Sequence, residues 1–173
     1  MMAALQIEFE DFVRTRHTAL VRTAVLLVRD HGHAEDLVQE ALWRTHRHWP
    51  TAATAPDSYV RRVLINLARD RHRRFIRRVR ETPWSDATEA AEVRTAPQGG
   101  SFDRDDALLV ALAALPLRQR ATVVLRFWDD LSVEETALTL GCTEGTVKST
   151  TSKGLARLRE VLAGTDAESE LTP

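Results

Sequence analysis

The stretch Leu131–Glu160, LSVEETALTLGCTEGTVKSTTSKGLARLRE, admits few folds. Ser132 stands three residues before Glu135, a spacing in which each side chain caps the other's backbone amide and starts a helix. Val133, Ala137 and Leu140 then recur at helical spacing. Gly141 ends that helix, because the left-handed conformation of a tight terminus suits a residue without a Cβ. Thr143 can cap a second helix whose inner side is Val147, Thr151, Gly154, Leu158 and Val161. Its other face presents Lys148, Ser149, Ser152, Lys153 and Arg157. A short helix, a glycine turn and a longer helix with a slim basic face form the helix-turn-helix pattern.

A helical hairpin with a solvated basic surface would share most of this pattern. The run Ser149-Thr150-Thr151-Ser152 counts against it, since such residues disfavour helix interiors by about a few tenths of a kcal/mol each. Gly154 adds roughly 1 kcal/mol relative to alanine. A purely structural helix gains nothing from this run. A helix that enters the major groove gains short side chains able to hydrogen-bond phosphates and base edges.

The rest of the chain predicts an all-α fold of two small helical domains joined by a linker. Phe9, Phe12, Val13, Leu20, Ala24, Leu27 and Val28 form one stripe over Gln6–Arg29, broken at Asp30-His31-Gly32-His33. A second helix, Ala34–Trp49, turns Leu37, Val38, Ala41, Leu42 and Trp49 inward and Glu35, Asp36, Gln39 and Glu40 outward. Pro50 to Pro56 reads as a loop, after which Asp57 or Ser58 caps a third helix from Tyr59 toward Arg80. Its stripe is Tyr59 or Val60, Val63, Leu64, Leu67 and Ala68. A fourth helix carries Leu108, Leu109, Leu112 and Leu115 up to Pro116; a fifth, Leu117–Asp129, points Ala121, Val124, Leu125 and Trp128 inward. The expected boundaries are residues 1–80, a flexible acidic linker over 81–102, a second domain over 103–163 and a frayed tail over 164–173.

Net charge is −1 over 173 residues, so the total predicts no partner, but its distribution does. Arg61 to Arg80 holds nine arginines and one acidic residue, Asp70, a local charge of +8. Glu81 to Asp106 holds seven acidic residues and two arginines, a local charge of −5. An anion must offset repulsion within the basic helix, and nucleic-acid phosphates are the ready candidate. Tyr59, at the start of that helix, has a ring that can stack on an unpaired base.

Other chemistries find little support. Cys142 is the only cysteine, which excludes an intramolecular disulfide and a Cys-rich zinc site. None of the six histidines pairs at the i,i+4 spacing of a helical zinc motif, so no metal or cofactor is expected. A Gly-rich phosphate loop and a G-x-S-x-G nucleophile are absent, and the chain does not read as an enzyme. Glu8, Glu10 and Asp11 interrupt the first apolar stretch, against a signal peptide, and no apolar run approaches 18 residues. No membrane insertion is expected, and the expected compartment is the cytoplasm, at the nucleoid.

The segment AEDLVQEALWRTHRHW, a short loop and then SYVRRVLINLARDRHRR closely resemble the promoter-melting domain of bacterial sigma-70 family factors. LPLRQRATVVLRFWDDLSVEETALTLGCTEGTVKSTTSKGLARLRE resembles their second DNA-binding domain. With two domains and a linker, the chain is most similar to the compact extracytoplasmic-function (ECF) group and its actinobacterial SigE-like members. The resemblance implies that residues 1–80 are region 2 and residues 103–163 region 4. It implies core RNA polymerase as partner, through the clamp helices of the largest subunit and the flap of the second largest. Promoter DNA is implied as well, and the resemblance admits an anti-sigma factor. By the same resemblance Asp36, Gln39 and Glu40 would dock on the clamp helices. Tyr59 and Asn66 would capture flipped bases of the minus-10 element, with Arg61, Arg62, Arg69, Arg73 and Arg74 tracking the backbone. Lys148, Ser149, Ser152 and Lys153 match the positions that read the minus-35 element, and Arg157 lies on the same exposed basic side. The chain departs from many members at Thr150 and Ser152, where they carry bulky residues or arginine.

Two other classes fit parts of the sequence. A stand-alone helix-turn-helix regulator would use Lys148 to Arg157 without polymerase, and the acidic face of the second helix separates it from a sigma factor. A sigma-like protein that binds polymerase without melting promoters would keep that face and lose open-complex formation.

Overall fold

The computed structural model describes residues 2–81 and 104–169, all of it helix and connecting turn. The predicted linker, residues 81–102, lies outside the described residues except for its first position. Helix α1 spans Met2–Val28, α2 His31–Arg47, α3 Trp49–Ala52 and α4 Pro56–Glu81. After the gap come α5 (Arg104–Ala113), α6 (Leu117–Val123), a π turn (Val124–Trp128), α7 (Val133–Leu140) and α8 (Glu144–Ser169).

Helix α1 ends where Arg29 takes a left-handed conformation, φ 63°. Asp30 then caps α2, its carboxylate accepting from the His33 amide at 2.7 Å. That amide holds the Asp30 carboxyl below the usual carboxylate range. Leu37, Val38, Ala41 and Leu42 face inward as their spacing predicts, against Phe12, Leu20 and Ala24 of α1 and Val60, Leu64 and Ala68 of α4. Each buried leucine, valine or phenylalanine among them contributes about 1.5–3 kcal/mol. Pro50 does not leave a bare loop: it sits in the first turn of the short helix α3, where a missing N–H costs nothing. This turn lays Trp49 across the end of the first core, its ring 5.1 Å from Phe9 edge-on and 5.5 Å from Phe12.

A second core couples the two halves of the chain. Leu26 and Leu27 of α1 and Ile65 of α4 pack with Leu112, Leu115, Ala121, Val123, Val124 and Leu125. Leu26 and Ile65 fall outside the stripes that periodicity assigns to their helices, because the face they occupy is buried by residues far away in sequence. Leu108 remains 36% exposed, so the fourth helix buries less than its four leucines suggest.

The fifth helix departs most from expectation. It is α-helical only to Val123, then widens: the Asp129 amide donates to Val124 O at 3.0 Å and the Leu131 amide to Leu125 O at 3.0 Å. This wider turn rotates later residues off the core, so Trp128, expected inward, is 50% exposed. Asp130 follows in the left-handed region, φ 53°. The last helix runs on to Ser169, beyond the predicted boundary at residue 163.

Gly154 is buried where α8 crosses α6, and a Cβ there would stand 2.9 Å from Val123 Cγ2. Its low helix propensity therefore has a packing cause. Gly154→Ala should lower stability by up to about 2 kcal/mol in chemical denaturation, since overpacking costs about 1–3 kcal/mol against a propensity gain of about 1. A stabilised variant would show that the close approach is not kept in solution.

Candidate nucleic-acid interface

The helix-turn-helix is assembled by the local signals its sequence carries. Ser132 Oγ accepts from the Glu135 amide at 3.1 Å, and Glu135 Oε2 accepts from the Ser132 amide at 2.7 Å. Gly141 lies at φ 64°, ψ 44° with nothing near its absent Cβ, so backbone conformation alone selects glycine. Thr143 Oγ1 accepts from the Thr146 amide at 3.2 Å and starts α8. Val147 and Gly154 are buried and Thr151 and Leu158 half-buried, which orients the helix. Lys148, Ser149, Ser152, Lys153 and Arg157 are all exposed on the remaining surface. Lys148 Nζ lies 3.8 Å from Glu144 Oε2, a contact between exposed groups that a phosphate would readily replace.

On α2, Asp36 and Gln39 are exposed and Glu40 half-buried, forming an acidic stripe away from the core. Glu40 Oε1 accepts from Arg44 Nε at 2.7 Å. Sequence reasoning missed Trp43, which is 53% exposed with the Arg47 guanidinium 4.9 Å above its ring. Asp36, Glu40, Trp43 and Arg47 recur at helical spacing, so the signal was present in the sequence.

The basic helix α4 makes more contacts of its own side chains. Tyr59 is half-buried, with its ring 6.3 Å from that of His48. Arg61 Nε donates to Asp129 Oδ2 at 3.0 Å, and its Nη1 lies 3.6 Å from Asp57 Oδ1. Arg62 Nη2 donates to the Leu138 carbonyl at 2.6 Å. Arg69 Nη2 donates to Asn66 Oδ1 at 3.0 Å, while Arg73 and Arg74 are exposed. Arg62, Asn66 and Arg69 form one wall of a cleft of about 570 Å³, with Glu134, Leu138 and Cys142 among the opposite lining. The predicted melting residues thus share one helix: Arg62, Asn66, Arg69, Arg73 and Arg74 are exposed, Tyr59 and Arg61 half-buried, and Arg62 also bonds to α7. Asp129, which holds Arg61, carried no local signal.

Among the described residues no group of three or more His, Cys, Asp or Glu could hold a metal ion, and no helix is long and apolar enough to cross a membrane.

Comparison with known proteins matches both halves. Residues 12–78 fit the family model for sigma-70 region 2, and residues 105–158 that for sigma-70, region 4. The RNA polymerase sigma-E factor of Streptomyces coelicolor is 43% identical over 171 residues, covering 94% of this chain and 90% of its own. The ECF RNA polymerase sigma factor SigM of Mycobacterium tuberculosis is 32% identical, covering 89% of this chain and 76% of its own. Among solved structures, the sigma factor RpoE in complex with the anti-sigma factor NepR from Bartonella quintana superposes with a TM-score of 0.68. It shares 28% identity over 90% of this chain and 96% of that one.

The Ser132 amide and hydroxyl hold the Glu135 carboxyl below the usual glutamate range. Because the folded chain favours its charged form, the stabilisation is complete above the unfolded value of about 4.3 and is lost as pH falls through the lower folded value. Glu135→Gln keeps a capping side chain without the charge. It should flatten the acid limb of thermal stability relative to wild type; an unchanged limb would mean that this cap is not formed in solution.

Proposed function

The chain belongs to the sigma-70 family, and from that membership we propose that it is an ECF-type initiation factor: it binds core RNA polymerase, directs it to a restricted set of promoters and catalyses no reaction itself. The observation that carries the reading is the pairing, in one chain, of a region 2 match with a region 4 match, each bearing a surface charged for its role. The acidic α2 stripe Asp36–Gln39–Glu40 docks on the clamp helices of the largest subunit. Helix α8 reads the minus-35 element through Lys148, Ser149, Ser152 and Lys153, with Arg157 on phosphate. Helix α4 serves the minus-10 element, Tyr59 and Asn66 on extruded bases and Arg61, Arg62, Arg69, Arg73 and Arg74 on the backbone.

Region 4 also meets the flap of the second largest subunit. An anti-sigma factor belongs among the proposed partners, since the similar Bartonella chain was solved with one. The working compartment is the cytoplasm, at the nucleoid. Short Ser and Thr side chains on α8 need supply only part of the affinity, because polymerase raises their effective concentration over the promoter.

Run-off transcription with purified core polymerase on genomic templates tests this function. Promoter-dependent transcripts are expected, and their absence together with no binding to core would overturn it. The double variant Asp36→Arg/Glu40→Arg should lose core binding and transcription while keeping duplex DNA binding. If it keeps full activity, a stand-alone regulator is the better reading. Lys148→Ala should weaken duplex binding and reduce the slope of log K against log salt by about 1, as loss of one phosphate contact requires.

A further inference from the structure

Helix α2 has two unlike sides. Leu37, Val38, Ala41, Leu42 and Thr45 are buried. Asp36, Glu40, Trp43 and Arg47 follow one another at spacings of four, three and four residues, which sets them in a single row on the other side. At the rise of an α-helix that row is about 16 Å long. It changes sign along its length: Asp36 and Glu40 come first, Arg44 and Arg47 last, and Trp43 lies between. Trp43 is 53% exposed, and among the described residues it is the only large apolar side chain that α2 leaves in water.

The ring is held ready. The Arg47 guanidinium lies 4.9 Å from its centre, a cation–π contact across one helical turn that covers one face and restrains the side chain. One turn earlier, Glu40 Oε1 accepts from Arg44 Nε at 2.7 Å, so the carboxylate is oriented as well. The first core makes no use of Trp43. Its end is closed by Trp49, which is 5% exposed and packs on Phe9 and Phe12. Two tryptophans six positions apart thus serve opposite sides of the domain, and the outer one forgoes the burial that so large a ring would gain.

We propose that Trp43 is the anchor of the polymerase contact: its ring, with Arg47 stacked on it, enters an apolar hollow on the clamp helices of the largest subunit, and Asp36 and Glu40 form the charged rim. The proposal rests on the assignment of the α2 stripe to core polymerase. Interfaces concentrate their affinity in a few desolvated aromatic and arginine side chains, whereas rim charges chiefly speed encounter. Trp43 stands within the row, where a partner helix excludes water most completely, and Asp36 stands at its end. Because Arg47 already restrains the ring, docking orders little that was free. The change of sign also specifies the occupant. It must offer basic groups opposite Asp36 and Glu40, an apolar hollow opposite Trp43 and an acceptor opposite Arg47. Such a helical surface fits the row in one direction only, since reversal would set like charges together.

Binding kinetics of the full chain on purified core polymerase, at two salt concentrations, test the anchor. Trp43→Ala should raise the dissociation rate by about 30-fold, the loss that marks a hot spot, and change the association rate by less than about threefold. Asp36→Asn should do the reverse, slowing association and flattening its salt dependence. Trp43→Phe keeps an aromatic ring and should recover most of the affinity. Every variant is first checked for helical content and a cooperative thermal transition; if Trp43→Ala fails that check, Trp43→Gln takes its place. Wild-type dissociation kinetics in the folded variant would overturn the anchor, and so would a loss confined to the association rate. Sedimentation of the free chain supplies a third outcome: a wild-type dimer that Trp43→Ala separates, with core binding unchanged, would give this face to a second copy of the chain and overturn the proposal. Wild type that does not bind core would bring down the initiation-factor reading and the anchor with it, whereas wild-type binding that survives the loss of Trp43 brings down the anchor alone.

Discussion

The guanidinium of Arg120 is the contact on which the arrangement of the helices most depends. It donates to Leu112 O at 2.8 Å, Ala113 O at 2.9 Å and Leu115 O at 3.1 Å, and to Leu27 O of α1 at 2.6 Å. The last carbonyls of a helix have no partner within it and carry the negative end of its dipole. Here the ends of α5 and α1 meet beside the buried Leu115 and Leu27, and the half-buried guanidinium serves those oxygens. A planar cation with a fixed fork of donors answers both ends at once, which lysine, with a single ammonium, could not reproduce. The apolar second core, Leu26 and Leu27 against Leu112, Leu115 and Val124, can form because these oxygens are satisfied.

Polar contacts at the same junction add direction to that apolar adhesion. Leucine against leucine would tolerate a range of rotations between the halves. Asp129 with Thr23 and Arg61, and Arg62 with the Leu138 carbonyl, select one of them. The selected rotation places arginines of α4 against the helix-turn-helix, with Glu134 on the facing wall of the cleft. Part of the repulsion expected among the nine arginines between Arg61 and Arg80 is thereby met within the protein, by Asp57 and Asp129 at Arg61.

What could be read in the sequence was whatever short-range physics decides. The Ser132–Glu135 cap, the left-handed Gly141, the Thr143 cap and the stripes of α2 and α4 all depend on neighbours within a few residues, and each is present. The outward positions of Asp36, Gln39 and Lys148 follow from the same periodicity. Elsewhere the deciding partner was remote. Asp129 is bound by residues 106 and 68 positions away, and no window of local sequence contains them. Ile65 and Leu26 are buried by a surface that exists only after the halves meet. Gly154 was misread for the same reason: its cost in helix propensity looked like a concession to DNA, whereas its missing Cβ makes room for Val123. Trp128 escaped because the π turn altered the register on which an inward position was counted.

That glycine has a consequence for how such a protein can diversify. Helix α8 is seated through Val147, Thr151, Gly154 and Leu158, while its exposed surface is built from Lys148, Ser149, Ser152, Lys153 and Arg157, and the two sets share no member. The anchoring side is strict, since even one added methyl group meets Val123. The exposed side lies in solvent, so its substitutions should each change stability by no more than about 0.5 kcal/mol. If α8 reads DNA as proposed, lineages can drift in target sequence at little structural risk, and a duplicated copy can acquire new promoters without relearning how to fold.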